Sequence, residues 1–367
     1  MKATQALHEL GQSLWLDNIT RTLLDDGTLA RYIAELSITG LTSNPSIFDK
    51  AIGGGDAYDS GIREGLRQGL SGEALFIELA LADLRRAAKL FGPAFAASGH
   101  MDGWVSMEVS PLLVADTDGS IAAARHIHNQ GHCANLFVKI PGSPAGVPAI
   151  EECIFAGIPI NVTLLFSRAQ YQAVAEAYMR GIERRLKVGL DPRVHSVASL
   201  FISRWDVAAN AQLPGELHNQ LGIAVARQTY RAYRELLAST RWKKLAAAGA
   251  PVQRVLWAST GTKDPSAADT LYIDALAAPD TINTIPEKTL HAFADHGKVG
   301  STLPADGGDA DAVLAKIAAA GVETDALAEK LQRDGADAFV TSWRELLQRL
   351  ADKAGVLGSK STGQDKP

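Results

Sequence analysis

One lysine stands at the end of an otherwise apolar run: Lys139 in Ala-Asn-Leu-Phe-Val-Lys-Ile-Pro-Gly, residues 134–142. Leu136, Phe137 and Val138 read as a strand buried on both faces, as strands of parallel sheets are. Pro141 and Gly142 end that strand, so the amine falls where a buried strand opens into a loop. Partial burial there disfavours the charged form and is expected to lower the lysine pKa. A neutral amine is the nucleophile that a Schiff base with a carbonyl substrate requires. A lone lysine in such a place more often snorkels to solvent or pairs with a carboxylate, so its neighbours must decide.

Those neighbours are other polar residues at the ends of other apolar runs. Short strands are predicted at 14–17, 38–42, 104–109, 136–140, 158–162, 197–202, 255–258 and 281–284. Between them lie stretches of helical periodicity, for example 72–90, 121–128, 168–185, 222–237 and 286–294. Eight strands alternating with helices predict a parallel sheet closed as an α/β (β/α)8 TIM barrel over residues 1–300. An open doubly wound sheet would want a Gly-rich first turn, whereas the first strand runs into Asp17-Asn18-Ile19-Thr20. Barrel enzymes carry their chemistry at the C-terminal ends of the strands. Those positions hold Asp17, Asn44, Glu108, Lys139, Asn161 with Thr163, Ser203 with Arg204, and Ser259. One such coincidence means little; a polar group at every strand end from the first to the seventh is a pattern.

After Gly300 the pattern changes. Residues 301–308 read as a linker, and two helical stretches, 309–320 and 324–348, carry no strand. The expectation is a helical hairpin, an extension over 301–357 packed on the barrel, followed by a disordered tail at 358–367.

Composition removes several function classes. The hydrophobic fraction of 46% and charged fraction of 21% are those of a soluble globular protein. A net charge of -5 with no basic run or aromatic-basic stripe gives no case for nucleic acid. No run of 18 apolar residues predicts a membrane span, and the N-terminus lacks a signal-peptide core. Cys133 and Cys153 are the only cysteines, so no disulfide framework is expected and a reducing cytoplasm fits. Monomer and homodimer remain open. His126, His128 and His132 do not share a helix face, so no metal site is expected there. Gly53-Gly54-Gly55 lacks a following Gly-Lys-Ser/Thr and reads as a flexible connection.

Five motifs carry a family resemblance: Leu-Thr-Ser-Asn-Pro-Ser (41–46), Ser-Met-Glu-Val-Ser-Pro (106–111), Phe-Val-Lys-Ile-Pro (137–141), Asn-Val-Thr-Leu-Leu-Phe-Ser (161–167) and Ser-Leu-Phe-Ile-Ser-Arg-Trp-Asp (199–206). In this order, over roughly residues 14–294, they resemble the transaldolases, and the last resembles their longer bacterial branch. The resemblance implies a class I aldolase barrel without cofactor or metal, acting on phosphorylated sugars in the pentose phosphate pathway. A dihydroxyacetone unit would pass from sedoheptulose 7-phosphate to glyceraldehyde 3-phosphate, giving erythrose 4-phosphate and fructose 6-phosphate. It further implies that Lys139 forms the imine, Glu108 relays protons through a water held with Thr163, and Asp17 handles the C4 hydroxyl proton. Asn44, Asn161 and Ser203 would contact the donor hydroxyls. Arg204, Ser259 and Lys263 are the candidates for the phosphate, on a Gly-containing turn (258–263) entering a helix after the seventh strand. Shorter transaldolases have an arginine in each of these two segments. Here Arg204 is shifted, and none lies between Ser259 and Lys263. Read without the resemblance, Asp17 and Asn44 could be helix caps, Asn161 and Thr163 could close a turn, and Glu108 could be a structural ion-pair partner. Rivals are a fructose 6-phosphate aldolase, a catalytically dead barrel acting as a binding protein, and a pyridoxal enzyme.

Overall fold

The computed structural model describes residues 2–361. Eight parallel strands form one sheet: β1 (Gln12–Leu16), β2 (Ile38–Leu41), β3 (Val105–Glu108), β4 (Leu136–Pro141), β5 (Ile160–Leu165), β6 (Ser196–Phe201), β7 (Arg254–Ala258) and β8 (Thr281–Ile285). The order β2-β1-β8-β7-β6-β5-β4-β3 closes on itself where the Gly103 N–H donates to Thr39 O at 2.8 Å and the Leu41 N–H to Trp104 O at 2.9 Å. Every strand residue is buried, because side chains on one face fill the barrel and those on the other meet the surrounding helices. This is the (β/α)8 TIM barrel expected from the alternation of apolar runs and helical periodicity.

Every strand shifts by at least one residue from its predicted bounds, and the two that shift most, β1 and β5, do so for physical reasons. β1 starts at Gln12 rather than residue 14, since Gln12 Nε2 and Ser13 find hydrogen-bond partners inside the barrel floor. There the Ser13 hydroxyl bonds Asp102, Arg254 Nη2 donates to Ser13 Oγ at 2.6 Å and to Thr281 O at 2.7 Å, and Trp15 Nε1 donates to Asp102 Oδ1 at 2.7 Å. β5 runs to Leu165, three residues past its predicted end, through a register slip between Val162 and Leu165. Leu164 takes up that slip at φ +58°, a left-handed conformation that costs a leucine energy.

The expected hairpin does not form. Helices Ala310–Ala319 and Thr324–Ser361 follow one another but do not lie along each other. The first packs on helix Leu221–Ala238, held by Arg231–Asp311 at 2.8 Å and an Arg227–Asp309 ion pair. The second, with Ala328, Leu331, Gly335, Phe339, Trp343, Leu346 and Leu350 buried at three- and four-residue spacing, crosses the C-terminal mouth of the barrel. It packs on helices Pro45–Gly53, Asp59–Arg67 and Gly72–Ala97, with Arg349–Asp49 at 2.6 Å and Lys353–Asp59 at 2.9 Å at its far end. The helix continues to Ser361, past residue 358 where a tail was expected. The rest of that tail, 362–367, lies outside the described residues. Among the described residues no helix is long and apolar enough to cross a membrane.

Candidate active site

Parallel register decides which side chains meet at the barrel mouth. Glu108 on β3 is paired with Lys139 on β4, and Lys139 with Asn161 on β5, so three neighbouring strands present these residues at one level. Lys139 Nζ lies 3.6 Å from Glu108 Oε2 and donates to Ser43 O, past β2, at 3.0 Å. Both side chains are buried, at 7% and 4% exposure. Burial raises the Glu108 carboxyl above its ordinary value, and the ammonium beside it pulls the other way without cancelling the effect. Neither Glu108 oxygen has a hydrogen-bond partner among the described residues; 3.6 Å is an ion-pair distance, beyond hydrogen-bond reach.

Lys139 opens into a cavity of about 130 Å³ whose wall includes Asp17, Asn44, Thr163, Arg204, Ser259 and Lys263. Asp17 does not cap the following helix: Thr20 does, accepting from the Leu23 N–H at 3.0 Å. Instead Asp17 Oδ1 accepts from the Thr42 hydroxyl at 2.7 Å, and burial raises its carboxyl against the pull of Lys139. Thr163, turned to the cavity just before the β5 slip, has a buried hydroxyl with no partner among the described residues. Asn44 both caps and lines: its Oδ1 accepts from the Ile47 N–H at 3.1 Å, while the residue borders the cavity.

Asn161 and Ser203 stand behind the wall rather than on it. Asn161 is fully buried, donating to Ser106 Oγ at 3.2 Å and accepting from Ser199 Oγ at 2.7 Å. Its amide is spent on holding β3, β5 and β6 together, and Ser199 reaches the cavity in its place. The Ser203 hydroxyl is 2.9 Å from that of Ser259, which faces the cavity at φ +56°.

The anion end also differs from expectation. The stretch after β7 does not enter a helix; residues 259–270 are irregular and the next helix is the short Leu271–Ala275. No helix N-terminus is therefore offered at Ser259–Lys263. Charge comes instead from Arg204 and Lys263, neither of which has an ion-pair or hydrogen-bond partner among the described residues. The Arg204 guanidinium lies 5.0 Å from the Phe201 ring and 5.8 Å from the Phe339 ring. Burial pulls its pKa below the ordinary arginine value, and the Glu108 charge pushes it back up. Two residues on, Asp206 accepts from the Tyr272 hydroxyl at 2.7 Å and the Gly222 N–H at 3.2 Å, anchoring the Arg204 turn to its neighbours. Burial pushes the Asp206 carboxyl up to about 6.

A buried amine, two carboxyls raised by burial and two unpaired cations at the rim suit Schiff-base chemistry on an anionic carbonyl compound. A family model described as Transaldolase/Fructose-6-phosphate aldolase matches residues 14–350. The chain belongs to that family. It is 43% identical over 365 residues to a protein named transaldolase from Arthrobacter sp. (strain FB24), covering 97% of this chain and 98% of that one. It is likewise 43% identical over 358 residues to a transaldolase from Thiobacillus denitrificans, covering 95% of this chain and all of the other. A protein named transaldolase 2 from Nostoc punctiforme is 39% identical over 371 residues, with 96% and 97% covered. This transaldolase-family barrel thus matches its relatives across its helical C-terminus as well as its strands.

Sequence reasoning missed what the C-terminal helix adds. Phe339 closes the cavity beside Arg204. Gln332 Nε2 donates to Gly142 O at 3.1 Å and Leu164 O at 2.9 Å, tying the ends of β4 and β5. A Cβ on Gly335 would sit 2.9 Å from Arg204 Nη1 and 3.0 Å from Leu164 Cδ2, so any side chain there would push the Arg204 guanidinium or Leu164 aside. The glycine and the aromatic spacing are visible in the sequence, but neither says where the helix lies. Thr42 and Thr284, whose hydroxyls are 2.6 Å apart beside Asp17, also escaped notice, although both stand at strand ends.

Proposed function

We propose that this chain catalyses dihydroxyacetone transfer from sedoheptulose 7-phosphate to glyceraldehyde 3-phosphate, with Lys139 as the covalent carrier. The observation that carries the reading is Lys139 at 3.6 Å from the buried Glu108, at the base of a cavity that also exposes Asp17 and Thr163. Lys139 Nζ attacks the donor C2 carbonyl. The carbinolamine loses water with a proton from Glu108, and the iminium left behind draws the electron pair when C3–C4 breaks. Asp17 takes the C4 hydroxyl proton as the erythrose 4-phosphate leaves and returns it to the acceptor aldehyde oxygen when the new bond forms. Thr163 shares with Glu108 the water of imine formation and hydrolysis. Asn44, Ser199 and Ser259 supply hydroxyl and amide contacts, with Asn161 and Ser203 supporting them from behind. Arg204 and Lys263 hold the phosphate. The chemistry needs no metal or cofactor, since the protonated imine is the electron sink. Two free cysteines, Cys133 and Cys153, accord with a cytoplasmic setting.

Borohydride added with fructose 6-phosphate is expected to fix one reduced dihydroxyacetone unit on Lys139, read by peptide mass spectrometry. Label on another lysine, or none, would overturn the reading. Because the family's description also covers an aldolase, turnover with and without glyceraldehyde 3-phosphate separates transfer from outright cleavage. Transfer predicts that release of free dihydroxyacetone is slow.

A further inference from the structure

We propose that Glu108 is served by a second, aqueous passage through the side of the barrel, and that the water of the Schiff-base steps enters and leaves there rather than through the substrate mouth. This rests on the imine chemistry proposed above. Glu108 does not border the substrate cavity. Glu108 borders a separate cavity of about 270 Å³ between helices Gly72–Ala97 and Thr117–Gly131, beneath Trp343 of the C-terminal helix. Three buried polar groups border this cavity without a hydrogen-bond partner among the described residues: the Glu108 carboxyl, the Ser110 hydroxyl and Trp343 Nε1. Buried polar groups are as a rule satisfied, and such a space holds several waters at about 30 Å³ each. Three such groups converging on one space mark it as a solvent site. At its outer end stand Glu73 and His126, both exposed, one from each flanking helix. At its inner end is the carboxyl that reaches Lys139. This cavity thus lies between exposed residues and the proton-carrying group, apart from the substrate cavity.

The reaction gives that separation a purpose. Each imine formed from the Lys139 ammonium and the ketose carbonyl releases one water, with the protons redistributed through Glu108, and each hydrolysis takes one water back. At both moments the sugar and its phosphate fill the mouth, so a water leaving by that way would have to pass the substrate. After C3–C4 cleavage, water arriving through the mouth would also protonate the bound carbanion and turn transfer into cleavage. A passage behind Glu108 delivers water to C2 past that one carboxyl and leaves the other face dry.

Ala122 and Ala123 on the Thr117–Gly131 helix keep the cavity open. Ala123→Leu fills it from a half-buried position and Ala122→Leu from an exposed one, so the second variant is secure if the first disturbs folding. The measurement is exchange of 18O from labelled water into the C2 carbonyl of fructose 6-phosphate, alongside KM for that sugar. The variants are expected to slow exchange and imine trapping by roughly tenfold or more while KM stays unchanged. Unchanged exchange in a folded variant would overturn the passage, because water would then be reaching Glu108 through the mouth. Slower exchange with an equal rise in KM would also overturn it, as the mark of a distorted site. If the wild-type enzyme gave no exchange and no trapped lysine, the imine reading itself would fall, a result distinct from both.

Discussion

The two ends of this barrel treat buried charged residues in opposite ways. At the floor, Arg254 and Asp102 are joined through the Ser13 hydroxyl, and Arg254 donates further to Thr281 O and, at 3.1 Å, to Met101 O. At the mouth, among the described residues, Glu108 and Thr163 carry buried oxygens with no hydrogen-bond partner, and Arg204 and Lys263 form no ion pair, although the charges of Glu108 and Asp17 act on them from within the site. The floor spends its charges on one another, although Gln12 Oε1 and Gln253 Oε1 there are unpartnered among the described residues; the mouth leaves a carboxyl and a hydroxyl unspent beside a lysine. Unpaired buried groups cost stability, so an ionisable group left unspent beside an amine points to chemistry more sharply than residue type does.

Substitutions at the two ends should fail in different ways. The largest effect is expected at the mouth. Glu108→Gln keeps size and polarity but cannot relay a proton, so imine formation and hydrolysis should slow by about 10² to 10⁴ with thermal stability retained. Asp17→Asn should still form the imine and then accumulate a borohydride-trappable donor adduct, because the C4 proton has no acceptor. Rapid-quench trapping with fructose 6-phosphate reads both; an Asp17→Asn enzyme that is folded yet forms no adduct would move Asp17 from bond cleavage to binding. Arg254→Met, at the floor, removes the cation that reaches the buried Asp102 through Ser13 and takes the guanidinium donor from Ser13 Oγ and Thr281 O. It should lose about 3–5 kcal/mol in urea unfolding while the fraction still folded traps the adduct normally. A variant as stable as wild type would mean that the floor network is as dispensable to the fold as the mouth.

The same contrast explains what could be read from the residues alone. Asp17, Glu108, Lys139 and Thr163 were legible because each breaks an apolar run whose period and length identify a strand, and parallel register then brings strand ends together. Arg254 and Asp102 were not, since a charge near the start of a strand looks like a solvated edge until its partner 152 positions away is known. Asn161 was legible as a polar strand residue, but whether its amide faces substrate or its neighbours depends on Ser106 and Ser199, on two other strands. The helix across the mouth shows the limit most clearly. Its amphipathic period foretold a helix, and a short turn before it suggested a hairpin. Its destination was set by Gly335 against Arg204, Gln332 on two strand ends and Trp343 edge-on to Phe76 at 5.1 Å.

Anchoring is expected to matter less than chemistry. Arg204→Ala and Lys263→Ala each remove one charge-assisted contact to a phosphate, so KM for phosphorylated donors should rise about ten- to hundredfold with kcat little changed. Comparison with an unphosphorylated ketose sharpens the test, because its turnover should not respond to either substitution. Equal use of both donors by the wild-type enzyme would remove the anion site from the mouth altogether.

The smallest effect is one of pH. Burial raises the Glu108 carboxyl above its reference of 4.5 and Asp17 above 3.8, so the folded state holds these protons more tightly than the unfolded chain. Stability gained this way is fully present below the reference values and is lost as pH rises through the raised folded values, because there the native state binds more protons than the unfolded one. Glu108→Gln deletes one of the two titrations. Unfolding free energies measured from about pH 4 to about pH 8 should therefore show wild type losing ground to the variant as pH rises, with the gap levelling once the carboxyl is ionised. Asp17→Asn should shift the balance in the same direction. A gap between wild type and Glu108→Gln that stayed constant over this range would mean that the mouth carboxyl is as well satisfied as those of the floor, and the contrast between the two ends would fail at its central residue.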